Sequence, residues 1–281
     1  MAESSVIRRI HIGVELEAYR KAAGWSREQT AELLDCSLSK ITKIENGDVA
    51  VKRAELLTML EAYKAPEKQR EELLQVAREA KNQQPLSMAG VAAPFRKARR
   101  LEAAASQLAS FVAELVPGLL QTEDYMRAVI AAVSPDLPDD EVEARVRVRT
   151  ERQNWLMSDR GPLLRAVLSE GAIRRLVGGK EVMRKQLLHL VEMEKRANID
   201  FQVLPFSAGA HAAIGFTFTL MRFSSDSAPS TVYLEDLTTA TYLDKPRDVD
   251  VYKVTFDRLQ QVALSPADSV AMLETVLGEL E

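Results

Sequence analysis

Residues 25–47 read WSREQTAELLDCSLSKITKIENG. Ser26 has the side chain of an N-cap, and Gln29 stands three positions on, where it can return the bond; this is the capping-box pattern. A helix therefore starts after Ser26, and it breaks at Asp35-Cys36. Ser37 caps a second, shorter helix. Asn46-Gly47 stops it, because both residues tolerate the left-handed backbone in which helices end. Ala31 keeps bulk low where the two helices must cross. Two short helices joined by so tight a break predict a helix-turn-helix, a motif that lays its second helix in the DNA major groove.

Residues 12–23 predict a preceding helix with Ile12, Leu16 and Tyr19 on one face, ended by Gly24. Residues 52–63 and 66–81 predict two more, with Pro66 suited to a first helical position. Leu33 or Leu34, Ile41 and Ile44 can then share a core with Leu16 and Leu56. Leu38, Ser39, Thr42 and Lys43 are left on the opposite face of helix 37–46. Hydroxyls of Ser39 and Thr42 can donate to or accept from several bases. Lys43 can donate to guanine acceptors, and Leu38 or the Thr42 methyl can pack on a thymine methyl. Arg27 and Lys40 are placed for the phosphate contacts that set register.

The chain has 281 residues, too many for one small core, so two domains are expected. Its net charge of −4 argues against indiscriminate coating of nucleic acid but not against a local binding face. A single cysteine, Cys36, excludes an intrachain disulfide and reads as a packed thiol. No signal-peptide pattern and no membrane-length apolar run is evident, so the expected location is cytoplasmic, at the nucleoid.

Residues 82–95 lack periodicity and contain two prolines. The expected organisation is a DNA-binding domain over 1–81, a linker over 82–97 and a second domain over 98–281. Helices are expected at 96–114, 122–132, 139–158, 169–177, 180–197, 247–262 and 266–280. Strands are expected at 199–206, 214–223, 231–237 and 241–243, where β-branched and aromatic residues concentrate. The fold class is thus mainly α with a small β-sheet: five helices, then an α+β domain.

The second half offers little chemistry. Pro117-Gly118 redirects the chain, and His211, between Gly209 and Gly215, reads as a hydrogen-bonded loop histidine. His189 and Glu192 stand three apart on a helix, but no third metal ligand accompanies them. His11 reads as an exposed bystander near the DNA-binding region. Arg145, Arg147, Arg149 and Arg152 read as the solvated face of an amphipathic helix, with a second phosphate contact as the alternative. Three histidines, one cysteine and no glycine-rich phosphate loop give no catalytic constellation. No enzyme activity, cofactor or metal is expected.

Two resemblances add to this reading. Gly24-Trp25-Ser26, Ala31, Leu34, the helix from Ser37 to Ile44 and Glu45-Asn46-Gly47 resemble the XRE family of phage-repressor-type helix-turn-helix proteins, over residues 12–63. That family usually has Gln at the position of Arg27 and Gly at that of Asp35, and its glutamate at the position of Glu45 serves the fold. Residues 115–130 and 203–218, together with Arg152-Gln153 and the VYLE run 232–235, resemble the domain that follows such a module in actinobacterial regulators called antitoxin-like or WhiJ-like. The resemblances imply a transcriptional regulator; since a single helix-turn-helix module reads few bases, a homodimer on a palindromic double-stranded operator is expected. They also imply control through the C-terminal domain by a ligand or by a small protein encoded nearby. The alternative is an antitoxin-like interaction module whose main role is to sequester that small protein.

Overall fold

The computed structural model describes residues 5–79, 93–159, 161–223 and 230–280. They fall into two compact units, 5–79 with 93–106, and 107–222 with 230–280.

The first unit is helical. Helix α1 spans Ser5–Ala22, ahead of the expected start at Ile12, and is followed by α2 (Arg27–Leu33), α3 (Leu38–Glu45), α4 (Arg53–Ala62) and α5 (Glu67–Glu79). The capping box closes as expected: Gln29 N donates to Ser26 Oγ at 3.2 Å, and Ser26 N donates to Gln29 Oε1 at 2.8 Å. Asp35 takes the left-handed turn with φ 47°, a conformation whose cost an Asp side chain moderates. At the end of α3 only Gly47 is left-handed, with φ 71°. Gly47 N donates to Ile44 O and Asp48 N to Lys43 O, so the orphan carbonyls of α3 are satisfied by a Schellman arrangement.

Leu16, Ile44, Leu56, Met59 and Leu60 fill the core with Ile12, Tyr19 and Tyr63. Leu34 packs against it while Leu33 is exposed, which settles a choice the sequence left open. Gly13 explains how α1 and α3 come so close. A Cβ at Gly13 would stand 2.5 Å from Glu45 O and 2.6 Å from Ile44 O, so α1 meets the end of α3 backbone to backbone.

A sixth helix, α6 (Ala93–Ala104), belongs to this unit and packs along α1. Residues 82–92 of the expected linker lie outside the described residues. The expected start of the second domain at 98 differs from the observed grouping, which begins at Gln107. Ala98, Ala104 and Ala105 are buried, and small residues let α6 approach closely. Arg100 Nη1 donates to the side-chain oxygen of Asn46, the C-cap of α3.

The second unit is a six-stranded mixed sheet with helices around it, ordered β3-β2-β1-β4-β5-β6. The strands are β1 (Gln107–Val112), β2 (Leu163–Ser169), β3 (Ile199–Leu204), β4 (Phe218–Arg222), β5 (Thr231–Glu235) and β6 (Ala240–Leu243). Strands β1, β2 and β3 are parallel, and β4, β5 and β6 continue antiparallel from β1. The expected helix 96–114 is therefore corrected to a helix and a strand, and β2 had no expected element. Neither strand alternates cleanly: Gln107 and Arg165 are exposed while runs such as Ser110-Phe111 and Ala166-Val167-Leu168 are buried, so the period that marks a strand locally is lost.

The helices of this unit are α7 (Glu123–Val133), α8 (Asp139–Leu156), α9 (Glu170–Arg174), α10 (Lys180–Glu194), α11 (Pro246–Val262) and α12 (Pro266–Glu279). Phe111, Val167, Phe218, Leu220 and Val232 form one core face with Phe256 and Leu259 of α11. Met126 and Ile130 of α7 pack on Val146 of α8 in a smaller cluster. The edge of β3 is covered: Leu264 N donates to Val203 O, and Val203 N donates to Ser269 Oγ, each at 2.9 Å. Such covering blocks pairing with another chain.

Replacing Gly13 with Ala should destabilise the first unit by at least about 2 kcal/mol, because the intruding methyl meets backbone that cannot rotate away. Urea denaturation followed by circular dichroism checks this. An unchanged midpoint would show that α1 can shift at no cost.

Candidate nucleic-acid interface

Helix α3 is anchored at its last residue. Glu45 is buried, and its carboxylate lies between two arginines. Arg20 Nε donates to Glu45 Oε1 at 2.5 Å and Arg20 Nη2 to Oε2 at 3.1 Å, a bidentate pair. Arg27 Nε donates to Glu45 Oε2 at 2.7 Å, while Arg27 Nη2 reaches Glu17 Oε1 at 3.3 Å. Arg20 Nη1 also donates to Trp25 O at 2.9 Å, so the same guanidinium ties the loop before α2 to the end of α3. Burial by itself would raise the Glu17 carboxyl, but Lys21, Arg27 and Arg20 outweigh it and hold it below its ordinary value. For Arg20 burial works toward a lower value, and the bond and charge of Glu45 reverse it to a raised one.

A second polar link braces α2. The hydroxyls of Thr30 and Tyr63 share a hydrogen bond at 2.8 Å in the interior. Trp25 packs edge-on against Tyr63 with ring centroids 6.0 Å apart. Burial, eased by the bond to Thr30, pushes the Tyr63 hydroxyl up to about 12.

These anchors leave one face of α3 outward. Leu38 is 44% exposed, Ser39 and Lys43 are exposed, and Thr42 is half-buried. Thr42 Oγ1 donates to Leu38 O at 3.1 Å, which fixes its rotamer and presents its methyl group with its remaining acceptor capacity. Lys43 forms no ion pair among the described residues. Lys40 and Arg27 are placed differently. Lys40 Nζ donates to Glu55 Oε1 at 2.7 Å, which raises the lysine and helps hold Glu55 low. Arg27 spends its Nε and Nη2 on Glu45 and Glu17. Leu38, Ser39, Thr42 and Lys43 are thus together on one open surface, and the two cations beside them are braced by carboxylates.

The sequence reading missed Gly13, Arg20, Glu17 and the Thr30–Tyr63 pair. Gly13 carried a usable signal: an isolated glycine inside a helical pattern points to close packing. Charge pairs across twenty-five residues, such as Arg20–Glu45, leave no periodic trace.

The remaining candidates disperse. His211 Nδ1 accepts from Ala213 N at 3.4 Å, and its ring packs edge-on against Phe111. His189 is half-buried and lowered by burial, and Glu192 pairs with Lys195 at 2.7 Å. No group of three metal-ligating side chains gathers among the described residues.

The fold and this surface define a class: a helix-turn-helix unit joined to an α+β unit. Residues 11–73 match a family model described as a helix-turn-helix domain. Residues 95–275 match one described as a domain of unknown function, DUF5753; it spans most of the chain, and the chain belongs to that family. No curated protein and no solved structure matches the chain.

Changing Glu45 to Gln should cost about 3–5 kcal/mol, because it leaves Arg20 buried without its counter-charge. Thermal unfolding of the variant checks this, and a change below 1 kcal/mol, on the order of a surface pair, would contradict it. The Tyr63 hydroxyl gives a pH signature. Its folded value lies above its unfolded one, so its contribution is complete below pH of about 10 and is lost as pH rises toward 12. Relative to Tyr63→Phe, the native chain should lose about 2–3 kcal/mol across that window, read from denaturation at stepped pH. A constant difference would contradict the burial of that hydroxyl.

Proposed function

We propose that the chain is a sequence-specific DNA-binding transcriptional regulator that reads the major groove with α3. The observation that carries this is the open face of Leu38, Ser39, Thr42 and Lys43 on a helix whose end is locked by Glu45. A reading helix must be rigid, since base contacts demand placement of hydrogen-bonding atoms to within a fraction of an ångström. Ser39, Thr42 and Lys43 contact base edges, and Leu38 packs on thymine methyls. Arg27 and Lys40 contact phosphates with the donors not used on Glu45, Glu17 and Glu55. A single helix of this kind reads few bases, so a two-fold dimer on a palindrome is the expected form. The C-terminal unit controls binding, through a small-molecule ligand or a partner protein.

One observation favours the partner-protein variant of this reading. In the segment between β3 and β4, Phe206, Ile214 and Phe216 are 63%, 62% and 66% exposed. Large apolar side chains collected on a surface mark interaction sites. Phe218 is buried and Tyr233 half-buried, so neither adds to this surface. No helix among the described residues is long and apolar enough to cross a membrane.

Replacing Ser39, Thr42 and Lys43 together with alanine should abolish operator selectivity while the circular dichroism spectrum stays native. Each lost base contact is expected to cost about 1–3 kcal/mol. Competition gel shifts with operator and scrambled duplexes read this out. Retained selectivity would remove these residues from the reading surface.

A further inference from the structure

Of the basic stretch on α8 only Arg147 is exposed, in keeping with a solvated face, whereas Arg145, Arg149 and Arg152 are half-buried. Arg145, Arg149 and Arg152 recur at helical spacing, so they share one side of α8, and Arg145 and Arg149 are half-buried there. Among the described residues neither Arg145 nor Arg149 has a carboxylate within ion-pair distance. Arg149 Nη1 donates to a neutral acceptor, Gln121 Oε1, at 3.2 Å. Arg145 Nη1 reaches only Ser134 Oγ at 3.5 Å, and its Nε is buried without a partner. A guanidinium removed from water ordinarily finds an anion, because an uncompensated buried charge is costly. Here burial comes first, then the charges of Arg152 and Arg145, in pushing Arg149 down to about 10. Glu235 opposes this through space without bonding to Arg149.

The position of this row in the fold is the second observation. Gln121 lies in the loop that leaves the carboxyl end of β1, and Gln153 Nε2 ties that loop to α8 through Gly118 O at 3.2 Å and Gln121 O at 2.6 Å. The register pairs Phe111 with Phe218 and Thr219 with Tyr233, so the ends of β1 and β5 lie on the same edge of the sheet. Glu235 ends β5 there. From β1 the chain moves outward to β2 and β3, and from β4 it moves the other way to β5 and β6. The loop that leaves the carboxyl end of β1 and the carboxyl end of β5 therefore meet at this end of the sheet, beside the half-buried row of α8.

We propose that Arg149, with Arg145 and Arg152 beside it and Gln121 orienting it, binds the oxyanion of a small effector at this edge of the sheet. The recognised chemistry is a carboxylate or phosphate group, which the planar fork of an arginine matches. Calling the ligand an effector rests on the regulator reading above; the anion site itself does not.

Differential scanning calorimetry of the full chain tests this, with inorganic phosphate in one arm and benzoate in the other, each against sodium chloride at equal ionic strength. At least one anion should raise the melting temperature of the C-terminal unit by about 3–6 °C. The shift should vanish in Arg149→Met and fall by half or more in Arg149→Lys, which keeps the charge and loses the fork. If Arg149→Met does not fold, the lysine variant carries the comparison. No shift with either anion, or an equal shift in the native chain and the variants, overturns the site. Neither arm contains DNA, so failure here leaves the reading of α3 untouched, and failure of that reading leaves this result standing.

Discussion

Glu45 sits at the last turn of α3 with its charge out of water, and the geometry of the first unit follows from how that charge is compensated. Arg20 meets it with two nitrogens and Arg27 with a third. Since Arg20 comes from α1, Arg27 from α2 and Glu45 from α3, one carboxylate joins three helices. The same contact draws α1 so close to α3 that residue 13 has no room for a Cβ. A buried ion pair is seldom worth more than a well-packed apolar group. Its value here is direction: bonds with fixed angles hold α3 at one orientation, where apolar packing alone would tolerate rotation.

The same constraint limits the neighbouring cations. Arg27 and Lys40 stand beside the reading face, yet both are held by carboxylates. This restricts their conformations and, in the proposed role of phosphate contacts, lowers the entropy lost on binding. It also offsets the charge of both cations, so the surface beside α3 carries less free positive charge than its sequence suggests. On the proposed function, selectivity comes from Ser39, Thr42, Lys43 and the Leu38 side chain more than from bulk electrostatic attraction.

Local signals made the first unit legible and left much of the second hidden. Ser26, Gln29, Ser37 and Gly47 act within their own turns, so the boundaries of α2 and α3 could be read directly. Strands β3, β4 and β5 were visible in their β-branched and aromatic residues. Strands β1 and β2 were not, since QLASFV and LLRAVLS become strands through pairing with each other across some fifty residues. The open face of α3 was visible because exposure follows from helical period, whereas the Arg20–Glu45 anchor behind it depends on which turns of α1 and α3 meet. Likewise the periodicity of α8 gave the row of arginines but not its burial, which is set by the loop after β1.

The account rests on α3 as the element that reads sequence, and one measurement tests it most directly. Duplexes bound from a random pool by the full chain, sequenced beside those bound by a Thr42→Ala variant, should yield a palindromic motif in the first case. In the second, the same motif should be relaxed at one symmetry-related pair of positions and intact elsewhere. An enriched motif that is identical for both proteins, or no enrichment at all by the native chain, would contradict the claim.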